Sequence, residues 1–486
     1  MTVPEPDPTP SGDGDHAARS DGEPIPGEAA PGETRRSIRV ENLTRVEGEG
    51  GLDIRLRDGR PHEVRLKIFE PPRFFEAMLR GRPGEEAPDI TARICGICPV
   101  AYQMSSVHAI EAAWGIDPGP EIRRLRRLLY CAEWIESHAL HVHLLHAPDF
   151  LGYPGSLEMS RDYPEQITRG LQIRKAGNAL LDTIGGRAVH PINVAVGGFY
   201  KAPARDAMAA HVGQLEAVLP LAIETTRWVA GFDFPDFEPE YQTVCLVHPD
   251  EYPMNEGRIE ASDGLSITSD EYESWYVERQ VPHSTAMHAV RQDTGQTYLL
   301  GPLARLNRCR EQLMPAARRL ADEIGWQTPC RNPYRMIVAR ALEVVHAVEE
   351  AIEILRDYRQ PRPARVDYRR RAADGTAATE APRGLLYHRY ELADDGRIEH
   401  ANIVPPTSQN QSQIERDLAA LLTAMSDPTD GEIAESCERL VRCFDPCISC
   451  STHFLKVRVR RESRPDGKSR PDGKSRPDGK SRPDGK

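Results

Sequence analysis

Apolar and polar residues first alternate with a period of two. Leu52, Ile54 and Leu56 face one way and Asp53 and Arg55 the other. Asp58-Gly59 supplies a turn, and Val64, Leu66 and Ile68 resume the alternation, predicting a β-hairpin. The period then lengthens. Leu125, Leu128, Leu129, Ala132, Ile135 and Ala139 fall at helical spacing and predict a long helix over 121–146. A second helix is expected over 203–229, with Pro203 in its first turn and Pro220 kinking or breaking it. A third, over 334–357, places Val338, Leu342, Val345, Val348, Ile352 and Leu355 on one face. Helices over 411–425 and 431–443 follow. Residues 240–305 read as strand-rich, and 385–404 as a hairpin turning at Asp394-Asp395-Gly396. The expected class is α+β, helix-dominated, with long central helices and peripheral hairpins and small sheets.

The two ends lack these patterns. Residues 1–36 contain no Phe, Tyr or Trp and are crowded with Pro, Gly, Asp and Glu, so disorder is expected there. From Ser463 to Lys486 the hexapeptide Ser-Arg-Pro-Asp-Gly-Lys occurs four times, turn chemistry with no apolar residue to pack. The division expected is a disordered segment 1–36, a folded body 37–453 and an extension 454–486.

Composition bounds the function. The chain has 486 residues, 39% hydrophobic and 28% charged, enough for a large core. A net charge of −12 speaks against nucleic-acid binding, and Arg123, Arg124, Arg126 and Arg127 are expected to form a solvated or partner-facing stripe. No apolar run reaches the ~18–20 residues that a membrane helix needs, so no membrane insertion is expected. The N-terminus has no apolar export signal, which points to the cytoplasm. There, ten cysteines are expected to be free or metal-bound rather than a disulfide scaffold.

Two of the cysteine groupings stand out, Cys95-Gly96-Ile97-Cys98 and Cys447-Ile448-Ser449-Cys450. Each C-x-x-C turn can aim two sulfurs one way, and four thiolates suit zinc, an Fe–S cluster or thiolate-bound nickel. Zinc modules usually place their pairs ~15–20 residues apart, whereas Cys447 follows Cys95 by 352. Structural zinc, a redox or catalytic metal, and unrelated thiols all remain open on spacing alone. Cys131, Cys245, Cys309, Cys330, Cys437 and Cys443 read as buried apolar residues.

Residues around the pairs go further. Arg93-Ile94-Cys95-Gly96-Ile97-Cys98-Pro99 and Asp445-Pro446-Cys447-Ile448-Ser449-Cys450-Ser451-Thr452-His453 resemble the two signature motifs of the nickel–iron hydrogenase large subunit. Thr44-Arg45-Val46-Glu47-Gly48, Gly185-Gly186 to Gly197-Gly198, Glu380-Ala381-Pro382-Arg383-Gly384 and Val404-Pro405-Pro406-Thr407 fit the same family in order. The resemblance implies reversible heterolytic cleavage of H2 at a buried site. Cys95, Cys98, Cys447 and Cys450 would hold nickel, and Cys98 and Cys450 would also bridge to an iron carrying carbon monoxide and cyanide. Glu47 would move the proton, Arg383 would stand over the metals, and Asp445 would lie beside that arginine. Pro382 and Thr407 would border the cofactor. Glu76 and His453 would bind a Mg ion, and a maturation endopeptidase would cut after His453, removing 454–486.

Three positions depart from the family pattern: Tyr102 and Glu49 where histidine is frequent, and Ser137 at a site aspartate. They resemble the cytoplasmic, bidirectional, NAD(P)-linked branch. That branch implies two kinds of partner, an Fe–S small subunit plus flavin/Fe–S NAD(P)-reducing subunits. His138, His141, His143 and His146 are expected to be core or supporting histidines. Two other readings compete: the nickel-free subunit of respiratory complex I related to this family, and a zinc-stapled structural protein.

Overall fold

The structure, a computed structural model, describes residues 35–71 and 73–452. The segments 1–34 and 453–486, with the predicted disorder, the hexapeptide repeats and His453, lie outside the described residues. Four long helices form the centre. Pro120–Leu140 packs against Pro164–Gly185 on one side and Met336–Arg356 on the other, and Arg205–Ala230 lies across Met336–Arg356. The first of these continues through a π-helical turn, His141–His146, into Ala147–Leu151.

Among the described residues, five small antiparallel sheets lie around this centre. The predicted hairpin is present as Gly50–Arg57 and Arg60–Ile68, with Leu52 opposite Leu66 and Ile54 opposite Val64. Arg35–Val40 adds an outer strand. This sheet packs on helix Pro406–Ala424. Strands Ala373–Ala381, Gly384–Leu392 and Ile398–Val404 form a second antiparallel sheet, whose last two strands are the predicted 385–404 hairpin. Helix Pro99–Trp114, which begins directly after Cys98, packs on its first strand. Short strands between Val244 and Arg291 fill the strand-rich region. The helices expected at 334–357, 411–425 and 431–443 are Met336–Arg356, Pro406–Ala424 and Asp430–Cys443. The fold is therefore helix-dominated α+β.

Three expectations need correction. Helix Arg205–Ala230 does not break at Pro220 but continues through it. Pro220 is on the exposed side, so the Glu216 carbonyl it cannot bond faces water, while Leu215, Val218 and Ala222 keep one buried face across it. Arg126 and Arg127 are buried, not a solvated stripe. Arg126 donates to both Glu111 oxygens at 2.7 and 2.6 Å, and Arg127 to both Glu350 oxygens at 2.8 and 3.0 Å. Each charge is buried because a neighbouring helix supplies a carboxylate. Helix Pro164–Gly185 was not expected at all. Its buried stripe of Gly170, Ile173, Ala176, Gly177, Leu180, Leu181, Ile184 and Gly185 is helical in period but half built of small residues. A Cβ on Gly177 would stand 2.8 Å from the Ala132 carbonyl, so the small residues serve close helix approach rather than apolar bulk.

Candidate active site

The two cysteine pairs meet in the core. The four sulfurs lie within 4.8 Å of one another and all four residues are buried. Sγ of Cys95 is 2.7 Å from Sγ of Cys98 and 3.6 Å from Sγ of Cys447. The sulfurs of Cys447 and Cys450 are in contact. The other six cysteines are all buried.

Local structure aims each pair. Backbone N–H groups of Ile97 and Cys98 donate to Sγ of Cys95 at 3.3 and 3.0 Å. Burial opposes ionisation of Cys95, but the hydrogen bond from Cys98 and the charge of Arg383 outweigh it and lower its pKa. Burial and the adjoining Cys95 push Cys98 well above the ordinary range. In the second pair the Cys447 amide donates to Oγ1 of Thr407 at 3.0 Å. The Ile448 amide donates to the Glu47 carbonyl at 2.9 Å.

Glu47 and Arg383, with Asp445 bonded to Arg383, lie beside the sulfurs. Oε2 of Glu47 is 3.1 Å from Sγ of Cys447 and accepts the Ser449 amide at 3.2 Å. Gly48 follows with φ +89, and a Cβ there would stand 2.5 Å from Glu70 and 2.8 Å from Ile448, so the Glu47 turn closes only with glycine. Arg383 is 3% exposed. Its Nε donates to the Asp445 carbonyl at 2.6 Å and its Nη2 to Oδ1 of Asp445 at 3.2 Å. Nη1 of Arg383 is buried with no hydrogen-bond partner among the described residues. The Pro382 carbonyl accepts from Arg305 at 3.0 Å, so its backbone turns away into a buried ion network. Oε1 of Glu76 accepts the Ile403 amide at 2.9 Å, and the side chain is buried. Tyr102, Ser137 and the four histidines are buried, and Glu49 is exposed. His138 pairs with Glu343 at 3.0 Å and His141 with the Arg442 carbonyl at 2.9 Å, and none of the four joins a metal-ligand cluster among the described residues.

Sequence reasoning missed two residues here. Arg73 donates through Nη2 to the carbonyls of both Ile94 (2.6 Å) and Ser449, tying the two cysteine turns together. Glu133 accepts the amides of Val100 and Ala101 at 2.6 and 3.1 Å, covering the start of the helix behind Cys98. Burial raises the pKa of Glu133 well above the carboxylate range. The only sequence signal for either is proximity, Arg73 beside Glu76 and Glu133 on the long helix.

The site is thus four soft sulfur donors beneath an unpartnered guanidinium N–H, with a carboxylate against one sulfur. Soft donors fit nickel and iron, and the free N–H fits an acceptor carried on the metal. The family description "Nickel-dependent hydrogenase" matches residues 73–169 and 305–453. The chain belongs to the nickel-dependent hydrogenases. Both cysteine pairs lie inside the matched segments. This hydrogenase chain is 33% identical to the alpha chain of sulfhydrogenase 1 from Pyrococcus furiosus over 424 residues, covering 86% of this chain and 98% of that one. It is 32% identical to the alpha chain of sulfhydrogenase 2 from the same organism over 424 residues, covering 86% and 100%. A solved NAD+-reducing [NiFe]-hydrogenase in the H2-reduced state superposes with a TM-score of 0.76 at 25% identity, covering 86% and 99%. The chain is a nickel–iron hydrogenase catalytic subunit, an oxidoreductase acting on H2, and the complex I and zinc-scaffold readings give way. No helix among the described residues is long and apolar enough to cross a membrane.

Proposed function

We propose that this chain is the H2-cleaving subunit of a cytoplasmic complex that exchanges electrons with NAD(P) through an Fe–S small subunit, with flavin/Fe–S subunits beyond it. The observation that carries the reading is the four-sulfur cluster set between the Glu47 carboxylate and the free Nη1 of Arg383. The nickel–iron centre, with CO and cyanide on iron, supplies the redox chemistry that splits H2 heterolytically. Cys95, Cys98, Cys447 and Cys450 would hold this centre through their thiolates. Oε2 of Glu47 takes the proton from Sγ of Cys447, a transfer over 3.1 Å. Glu70, half-buried and accepting from Ser449 Oγ at 3.1 Å, lies on the outward side of that step. Asp445 fixes Arg383 through Nε and Nη2 so that Nη1 donates into the metal site. Thr407 holds the Cys447 turn, and Pro382 sets the backbone ahead of Arg383.

Glu76 supplies an oxygen to a Mg ion, with His453 as its partner outside the described residues. Cleavage after His453 by a maturation endopeptidase removes 454–486. Electron exchange with NAD(P) is argued from the departures at Tyr102, Glu49 and Ser137 together with the NAD+-reducing relative. The deciding experiment purifies the chain with its co-purifying subunits. Metal content, infrared bands from CO and cyanide, and H2-dependent reduction of NAD+ and NADP+ are then measured. Nickel and iron near one each, with those bands and nucleotide reduction, are expected. Activity with neither nucleotide refutes the NAD(P) assignment.

A further inference from the structure

A second group of metal-ligating side chains lies apart from the sulfurs. His283 sits in the loop between strands Tyr276–Arg279 and His288–Arg291, and His288 opens the second strand. Glu415 meets both from helix Pro406–Ala424. Nε2 of His283 is 2.8 Å from Oε1 of Glu415, and Nδ1 of His288 is 4.0 Å from Oε2. One ligand atom from each residue lies within 4.8 Å of the other two. His288 is 6% exposed, and Gln411 is hydrogen-bonded to its ring.

We propose that His283, His288 and Glu415 bind one divalent first-row cation of the zinc class, with its remaining coordination open to water. Two imidazole nitrogens and one carboxylate are a donor set for zinc-like ions, not for magnesium or calcium, which take oxygen. Metal–ligand bonds of ~2.0–2.1 Å in a tetrahedron place ligand atoms roughly 3.3 Å apart. The two imidazoles approach different oxygens of Glu415, at 2.8 and 4.0 Å, and one ligand atom from each of the three residues lies within 4.8 Å of the others. The side chains of His283 and Glu415 are 15% and 18% exposed, giving an entry path.

The loop is already held in place. Thr285 donates from N and Oγ1 to the Ile68 carbonyl at 2.7 and 2.9 Å. Glu415 also accepts the Leu66 amide at 2.8 Å. Ala286 packs with Ile68 and Ile448, and Ile448 lies between Cys447 and Cys450. A cation here staples loop, helix and N-terminal sheet together against the back of the second cysteine pair.

The test uses the full chain with its nickel–iron centre assembled, stripped of loose metal by a chelator and titrated with ZnCl2. Parent protein is compared with His283→Ala, at a partly exposed position, and with His288→Ala. The parent is expected to bind one more equivalent of zinc than either variant, or the same equivalent at least about tenfold more tightly. Anomalous scattering at the zinc edge in a soaked crystal should place an ion among the three side chains. Equal zinc binding by parent and His283→Ala, or an anomalous peak only elsewhere, overturns the proposal. Because the comparison reads zinc and not H2 turnover, it stands apart from the hydrogenase assignment.

Discussion

Asp445→Asn tests how the guanidinium is held over the sulfurs. Arg383 makes two bonds to this residue, one to the backbone carbonyl at 2.6 Å and one to Oδ1 at 3.2 Å. Breaking a buried ion pair outright costs about 3–5 kcal/mol. Asparagine keeps the backbone acceptor, and Glu47 and the cysteines still surround Arg383. The asparagine Oδ1 can still accept from Nη2, so the relevant loss is the carboxylate's charge rather than the bond, below the full pair-breaking cost and about 2 kcal/mol. Around 2 kcal/mol corresponds to roughly a 30-fold shift in a local opening equilibrium. Hydrogen exchange of the nickel-loaded protein, read by mass spectrometry over 443–452, reports it directly. The amides there bond to Arg442, Thr407 and Glu47. They should exchange roughly 10- to 30-fold faster while helix Arg205–Ala230 is unchanged. Exchange over 443–452 within about twofold of the parent would show that the pair does not secure the turn.

Thr407→Val removes the acceptor of the Cys447 amide with little change of shape, leaving a buried N–H at a cost of about 1–3 kcal/mol. Nickel retained after dialysis should fall, and full retention contradicts the role given to Thr407. Arg305→Met strands Glu343 and Glu380, both fully buried, so the urea midpoint should drop by an amount equivalent to about 3–5 kcal/mol; an unchanged midpoint refutes it. Asp417 is pushed up to about 7 by burial. The unfolded chain, with an Asp pKa of about 3.9, loses this proton first, so the residue's contribution to stability declines as pH rises from about 4 to about 7. Asp417→Asn should therefore gain denaturant resistance on the parent at pH 8 and lose that advantage at pH 4, and a pH-independent difference excludes the mechanism. Glu47→Gln should retain nickel but slow H/D exchange with H2, since its Oε2 can no longer take a proton from Cys447; an unchanged exchange rate removes Glu47 from the path.

Elements with a clean period were legible from the chain. The hairpin around Asp58-Gly59 and the helix carrying Leu125 to Ala139 each show their buried face without reference to any neighbour. Helix Pro164–Gly185 was not, because Gly170 and Gly177 gain meaning only once His143 and Ala132 are opposite them. Arg126 and Arg127 misled for the same reason, since Glu111 and Glu350 come from other helices. The donor atoms of the site could be read from motifs. What holds them could not, because Arg73 and Glu133 work by bonding remote backbone, which leaves no local pattern.

The long separation of the cysteine pairs has its own physical account. Loop-closure entropy grows only with the logarithm of length, about 0.6 kcal/mol per doubling. Joining pairs 352 residues apart rather than ~20 adds about four doublings, roughly 2.5 kcal/mol. Across the junction the Ile448 amide bonds to Glu47, the Arg73 amide to Thr452 at 2.6 Å and the Arg73 side chain to Ile94 and Ser449. At a net contribution of about 1 kcal/mol each, these bonds offset the added length before any metal binds. The separation that argues against a compact zinc module therefore costs this fold little, and the second pair is held by contacts that form only when the two ends of the body meet.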